Sequence, residues 1–279
     1  MKFAAWLEGA LPGRWREAVW ARRALDGEGY GVALHEATLA KVGKELGVTR
    51  ERARQILERA REALSGEAAQ RAADGLYGVA RAALEAAGGA MMPGEWTAAA
   101  GGNPLWDGVS PTGALLVLHD AAPGRIGLHR GVFTVLGEEQ ADAVDGRLRD
   151  ALRRAGAAVQ LGTLSGSVGD ARLLERLARS MPDALVLRDG RAGLLERDAP
   201  RVLREILLAR GELRLEALAA AYNAAAFPEC QRGVGKVRQW VLGDPAAERK
   251  GPGVYGLKAG YQAELFAGAP SARQVTSDG

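Results

Sequence analysis

Apolar positions recur at helical spacing through the first 66 residues. Phe3, Trp6, Leu7 and Leu11 form one stripe, and after the break at Leu11-Pro12-Gly13 it continues through Trp15, Ala18, Val19 and Arg22. "LDGEGYGVALHE" (25–36) then reads as a glycine-rich loop. Thr38 is a candidate N-cap for a helix reaching Leu46, Gly47 ends that helix, and Val48 anchors the turn. Thr49 caps a further helix that runs to about Leu64. In this register Leu39, Val42, Leu46, Val48, Ala53, Ile56 and Leu57 point inward, which leaves Arg50, Glu51, Arg54 and Gln55 outward at the front of the second helix.

Beyond Gly66 the composition shifts to alanine and glycine, and a looser pattern occurs about three times: one or more amphipathic helices, then two short apolar strands around a glycine-containing turn. Helices near 77–87 and 110–121 precede "RIGLHRGVFTVLG"; helices near 143–155 and 169–180 precede "ALVLRDGRAGLLE". Helices near 200–210, 213–224 and 233–242 precede "AERKGPGVYGLK". The fold class expected is therefore mainly α: a helix-turn-helix followed by about three tandem winged-helix-like units with short β-hairpins. The expected boundaries are 1–66, 67–140, 141–197 and 198–260, with 261–279 a flexible tail of small and polar residues.

Composition narrows the function. The length of 279 residues suits two to four domains. No run of eighteen apolar residues occurs, and Glu8, Arg14, Arg16 and Glu17 interrupt the N-terminus where a signal peptide needs an unbroken apolar stretch. A cytoplasmic, nucleoid-associated location with no membrane partner is expected. One cysteine, Cys230, and three histidines, His35, His119 and His129, offer no disulfide and no zinc cluster, so no metal and no cofactor are expected. "GTLSGSVG" (162–169) lacks the lysine of a phosphate loop and the spacing of a nucleophile elbow and reads as a turn; no catalytic constellation emerges, and the chain is not expected to be an enzyme. The net charge is only +3, but all of it lies in residues 1–66, which fits an electrostatic footprint for phosphate.

A helix-turn-helix reads DNA by laying the front of its second helix on base edges in the major groove. Arginine can fork onto guanine, glutamine onto adenine, and glutamate can accept from cytosine. Arg52, Arg59 and Arg61 stand better for phosphates or for ion pairs with Glu58 and Glu62. From composition alone an Arg/Glu-rich helix reads as a solvated face with i,i+4 pairs, but the order of the residues points elsewhere. "TLAKVGKELGVTRERARQILERAREAL" resembles the end of region 4 of housekeeping-type bacterial sigma factors, the helix-turn-helix that reads the upstream promoter element. "LPGRWREAVWARRALDGE" is similar to the half that precedes it.

The resemblance implies base reading by Arg50, Glu51 and Gln55 and a backbone contact by Arg54. Thr49, Arg52, Arg59, Arg61, Lys41 and Lys44 complete the expected phosphate contacts. It also implies docking on the β flap of RNA polymerase core, for which Trp6, Trp15 and Trp20 could supply apolar surface; at helical spacing tryptophans are more often core. The sequence departs from the family at Ala40 and Lys41, which make the first helix more basic, and at the insert "GYGVALH" (29–35). Nothing in the remaining chain resembles the regions that melt promoters or clamp polymerase. The third repeat resembles winged-helix modules of the polymerase delta-subunit type, with Lys236, Arg238, Arg249 and Lys250 as candidate phosphate contacts and Tyr255 and Trp240 as hairpin or core residues. The middle repeat, balanced in charge over "RLLERLARSMPD", reads as a spacer or protein-binding surface.

The expected function is sequence-specific binding of double-stranded DNA by a bacterial or phage transcription regulator. The alternatives are a polymerase accessory or inhibitor held on the β flap, and an architectural DNA-binding protein of a mobile element or defence system. The sequence is compatible with oligomerisation in each case.

Overall fold

The structure is a computed structural model and describes residues 1–25, 37–259 and 261. The glycine-rich loop, its insert and the C-terminal tail read from the sequence lie outside the described residues.

The N-terminal module contains α1 (Phe3–Ala10), α2 (Gly13–Arg23), α3 (Leu39–Glu45) and α4 (Arg50–Ser65), and α5 (Glu67–Ala72) follows. Pro12 ends the first stripe as the spacing predicts, since a proline reads as a break in a helical run and is tolerated where the next helix begins. Three repeats of one topology come next. The first is α6 (Asp74–Ala86), β1 (Ala90–Met91), α7 (Pro93–Ala100), α8 (Pro111–Ala121), β2 (Gly127–His129) and β3 (Val132–Thr134). The second is α9 (Glu138–Ala155), β4 (Val159–Gln160), α10 (Leu161–Val168), α11 (Ala171–Ser180), β5 (Ala184–Val186) and β6 (Arg191–Leu194). The third is α12 (Leu195–Arg210), β7 (Leu213–Arg214), α13 (Leu215–Ala225), α14 (Val234–Gly243), β8 (Ala247–Gly251) and β9 (Val254–Leu257).

Each repeat closes a three-stranded antiparallel sheet in which the last strand lies in the centre: β1-β3-β2, β4-β6-β5 and β7-β9-β8. The hairpins pair Leu128 with Phe133, Leu185 with Gly193 and Arg249 with Tyr255. Strands β1, β4 and β7 are only two residues long, too short for an alternating pattern, and were not legible in the sequence.

Two other differences have local causes. "GTLSGSVG" is not a turn: Leu161–Val168 is helix α10. Two glycines lower its intrinsic propensity, but Leu161 and Val168 are buried and the helix packs on α11, so tertiary burial overrides the local preference. The first helix of the third repeat begins at Leu195 and carries Pro200 inside it. The fully buried Asp198 carboxylate accepts from the Leu194 amide at 2.7 Å and pairs with Arg197 at 2.7 Å, which satisfies the start of α12 ahead of the proline.

The chain divides into two compact units, residues 1–151 with 161–181, and residues 152–160 with 182 onward. In the first, Phe3, Trp6, Leu7, Ala60, Leu64 and residues of α6, α7 and α8 form one continuous apolar core. Trp96 and Trp106 meet edge to face at 5.6 Å within it, and the Tyr77 hydroxyl donates to the Leu118 carbonyl at 2.9 Å. In the second, Tyr222 and Trp240 pack at 5.6 Å, and Val202, Leu203, Val237 and Tyr255 are buried with them; Trp240 and Tyr255 are thus core residues. Among the described residues no helix is long and apolar enough to cross a membrane.

Candidate nucleic-acid interface

The helix-turn-helix is built on a small core of its own: Ala18, Ala37, Val42, Ala53 and Ile56, with Trp15, Leu46, Val48 and Leu57 packed around it. Thr38 and Thr49 are the N-caps of α3 and α4. Their hydroxyls accept from the Lys41 and Arg52 amides, each at 3.2 Å.

The turn between the helices depends on two glycines. Gly47 has φ +64°, a left-handed conformation that ends α3 without a Cβ penalty. Gly43 is needed for space: the Val48 amide donates to its carbonyl at 2.8 Å, and a Cβ at position 43 would lie 2.8 Å from the Val48 oxygen.

Helix α4 buries Ala53, Ile56, Ala60 and Leu64. Spacing alone then places Glu51, Gln55, Glu58 and Glu62 along the outward ridge, with Arg50, Arg54 and Arg61 on one flank and Arg52 and Arg59 on the other. Thr49, Arg50, Glu51, Arg52, Arg54, Arg59 and Arg61 are exposed and Gln55 is half-buried; Lys41 and Lys44 are exposed on α3. The α4 residues expected to touch DNA therefore share one continuous face, with basic flanks around a mixed polar ridge.

Their side chains are organised before any ligand arrives. Arg54 donates to Glu51 at 2.6 Å and also pairs with Glu58. Arg52 donates to Gln55 at 3.1 Å, and Gln55 reaches back to Glu51 at 3.4 Å. The hydrogen bond from Arg54 holds the Glu51 carboxyl below the usual carboxylate range, and the same contact raises the pKa of Arg54 further. Arg50, Arg59, Arg61 and Lys44 have no hydrogen-bond or ion-pair partner among the described side chains, so the expected pairs of Arg59 and Arg61 with Glu58 and Glu62 do not form. Those cations are exposed, with Arg50 beside Glu51 and Arg61 lining a hollow with Glu58 and Asp120.

The three tryptophans divide. Trp6 is buried and donates its indole N–H to the Ala69 carbonyl at 3.0 Å, while Trp15 and Trp20 are half-buried against the cores. Trp20 borders a groove of about 330 Å³ between α2 and α3, together with Arg16, Glu17, Ala21, Glu45 and Leu46.

In the third repeat Lys236 pairs with Glu196 at 2.9 Å, Lys250 pairs with Glu248, and the Arg249 Nε donates to the Gly251 carbonyl at 3.0 Å. Arg238 is exposed and without such a partner among the described residues. The second repeat was expected to act as a spacer or protein-binding surface. Its helix α11 docks on the first repeat, where Arg176 and Arg179 reach Glu95 at 2.7 and 3.1 Å. Glu95 lies on α7, a short helix that no periodic stripe announces, so those partners were not legible in the sequence.

Residues 9–65 match the family model for sigma-70 region 4, about a fifth of the chain. That family is a DNA-binding, regulatory helix-turn-helix module, and the matched span covers α2, α3 and α4 with the end of α1. No curated protein matches the chain. The winged-helix-like repeats rest on their topology.

Proposed function

We propose that this protein is a sequence-specific double-stranded DNA-binding regulator of transcription that inserts the front of α4 into the major groove. The observation that carries the reading is the face of α4: Arg50, Glu51 and Gln55 stand at its free N-terminal end, backed by a fixed core, in a module similar to sigma-70 region 4. Arg50 forks onto a guanine, Gln55 pairs with an adenine, and Glu51 accepts from a cytosine amine. Arg52, Arg54, Arg59 and Arg61 meet phosphates on the two flanks, with Lys41 and Lys44 on α3. The Thr49 hydroxyl accepts the Arg52 amide as a cap and keeps its own proton to donate. The labour divides along the chain: residues 1–66 read DNA, the remainder of the first unit supports that head, and 198–260 form a further module.

Selection from a random duplex library at near-physiological salt tests the proposal. The intact protein should enrich a defined motif, and Arg50→Ala with Gln55→Ala should erase it, each change costing on the order of 1–3 kcal/mol at one base position. Enrichment of the same motif by the double variant would overturn the reading.

A second reading, docking on the β flap of RNA polymerase, is favoured by the open groove beside Trp20. It requires co-purification with core enzyme that survives the α4 substitutions and is lost on Trp20→Ala.

A further inference from the structure

A hollow of about 260 Å³ lies beside α4, where that helix faces α2, α3 and α8, all within the first unit. Its floor is apolar. Val19, Leu64 and Val117 are buried there, and Leu39 and Leu57 are half-buried. The rest of the lining is charged: Arg22, Arg23, Arg54 and Arg61 with Glu58 and Asp120.

The charges sort into pairs and a remainder. Arg23 Nε donates to Asp120 at 2.9 Å, and a second nitrogen of the same guanidinium reaches the same oxygen. Arg54 spans Glu51 and Glu58, so the second carboxylate of the lining is matched as well. Arg22 donates to the Ala37 carbonyl. Arg61 is exposed and has no hydrogen-bond or ion-pair partner among the described side chains, which leaves its guanidinium donors unmatched at the rim of an apolar floor.

That combination selects an occupant. An apolar floor with one unmatched cation suits a molecule with an apolar body and a single negative charge. Arginine's planar fork meets a carboxylate in bidentate fashion. A phosphate monoester, with a charge of about −1.5 to −2 at neutral pH, calls for a second unmatched cation. Size narrows the class further: pockets for drug-sized ligands run from about 300 to 1,000 Å³, so about 260 Å³ takes a body no larger than one ring. Two neighbouring hollows of the first unit lack the combination. The groove beside Trp20 is lined by Glu17, Glu45 and Arg16, and Arg16 is paired with Glu8 at 2.8 Å; the one between Trp6 and Ala69 has no charged side chain among its described lining residues.

We propose that this hollow binds a small organic carboxylate, its apolar body on Val19, Leu57, Leu64 and Val117 and its carboxylate on the Arg61 guanidinium. The site stands independently of what α4 reads. Its consequence rests on the duplex-binding reading, in which Arg61 meets a phosphate. One guanidinium does not serve both anions, so carboxylate and duplex each weaken the other's binding by the same factor. The protein's hold on DNA then answers to a small acid.

Ligand-observed fluorine NMR of para-fluorobenzoate with the intact protein, titrated into the millimolar range at constant ionic strength, tests the site. The wild type should bind the probe saturably and its neutral amide, para-fluorobenzamide, far more weakly. Arg61→Gln should weaken the probe on the order of tenfold through loss of the charge-assisted fork. Arg59→Gln, the same change of charge on the opposite flank of α4, should bind as the wild type does. Both arginines are exposed, so neither change should move the thermal midpoint. Equal binding by wild type and Arg61→Gln, an equal loss in Arg59→Gln, equal binding of the amide, or no saturable binding would each overturn the site.

Anisotropy of a labelled random-sequence duplex, with and without saturating para-fluorobenzoate, separates the consequence from the site. Duplex affinity should fall with the probe in the wild type and stay unmoved by it in Arg61→Gln. A probe-bound wild type with unchanged duplex affinity overturns the competition and keeps the site. Absence of duplex binding without the probe overturns the reading of α4, and the NMR titration then decides the site alone.

Discussion

Helices α4 and α8 pack against each other, and each is the second member of a helix pair, yet they present opposite surfaces. Helix α4 buries one stripe and exposes arginine and glutamate on the rest. Helix α8, "PTGALLVLHDA", is apolar on nearly every side and has no exposed residue. A helix that is hydrophobic all round belongs in a core. The same supersecondary position has become an exposed polar surface in one case and the foundation under it in the other. Helix α8 also meets the end of α2 closely. The Ser110 amide donates to the Leu25 carbonyl at 2.8 Å, Arg23 Nε donates to Asp120 at 2.9 Å, and a Cβ on Gly113 would stand 2.5 Å from the Arg23 oxygen. Topology alone therefore does not say which helix of a tandem array can meet a ligand; the all-round burial does.

The sharpest test of this contrast is truncation on α8. Leu115 is fully buried, and Leu115→Ala should cost about 2–5 kcal/mol through lost burial and the cavity it leaves. Leu242→Ala on α14 should change stability by no more than about 0.5 kcal/mol. Chemical denaturation of the two variants checks this, and equal losses would break the distinction between covered and free helices.

Next in size is Gly113→Ala, which forces a methyl onto the Arg23 carbonyl and should destabilise the first unit by about 1–3 kcal/mol. Because α8 supports α4, duplex affinity should fall with stability at elevated temperature and recover on cooling. An affinity loss independent of temperature would mean that α8 acts on the ligand directly.

Thr49→Ala removes the cap of α4 and should cost about 1 kcal/mol. If Thr49 also meets a phosphate, its duplex affinity should fall more than that of Thr38→Ala, which loses the equivalent cap of α3. Equal affinities would confine Thr49 to capping.

The smallest effect concerns pH. Burial pushes the Glu95 carboxyl up, but the hydrogen bonds from Arg176 and the Met92 amide, with the charges of Arg176 and Arg179, outweigh it and hold it below the ordinary carboxylate range. A depressed folded-state pKa contributes stability that is complete above the unfolded value and is lost as pH falls through the folded one. Thermal melts should therefore steepen their decline in the acid range, and Glu95→Gln should flatten that limb while leaving the chain less stable near neutrality. An unchanged acid limb in Glu95→Gln would remove Glu95 as the anchor of α11.

Much of the N-terminal module was legible in the sequence because its signals are local. Thr38 and Thr49 cap, Gly47 turns, and the stripe of Val42, Ala53 and Ile56 has a period that no other element type shares. The order of residues around Arg50 to Gln55 carried the resemblance that the family match at 9–65 bears out. Local signals failed where stability comes from elsewhere. Helices α7 and α10 are short, and α10 is rich in glycine, so neither declares itself before its partners are in place. The two-residue strands β1, β4 and β7 exist only because a hairpin offers them an edge.

The sequence by itself determined the exposed face of α4, since spacing fixes which side chains of a helix point away from its apolar stripe. It also determined the threefold recurrence of helices and hairpins. Tertiary structure decided which of the equivalent helices remain free. "GALLVLH" on α8 and "LLERLAR" on α11 are apolar enough to be buried by something, but the identity of that something is a long-range fact: α2 and α4 for one, Glu95 and β1 for the other. Helix α14 finds no such cover for Val234, Arg238 and Leu242 among the described residues, and burial by a distant segment is a property that no local window of sequence contains.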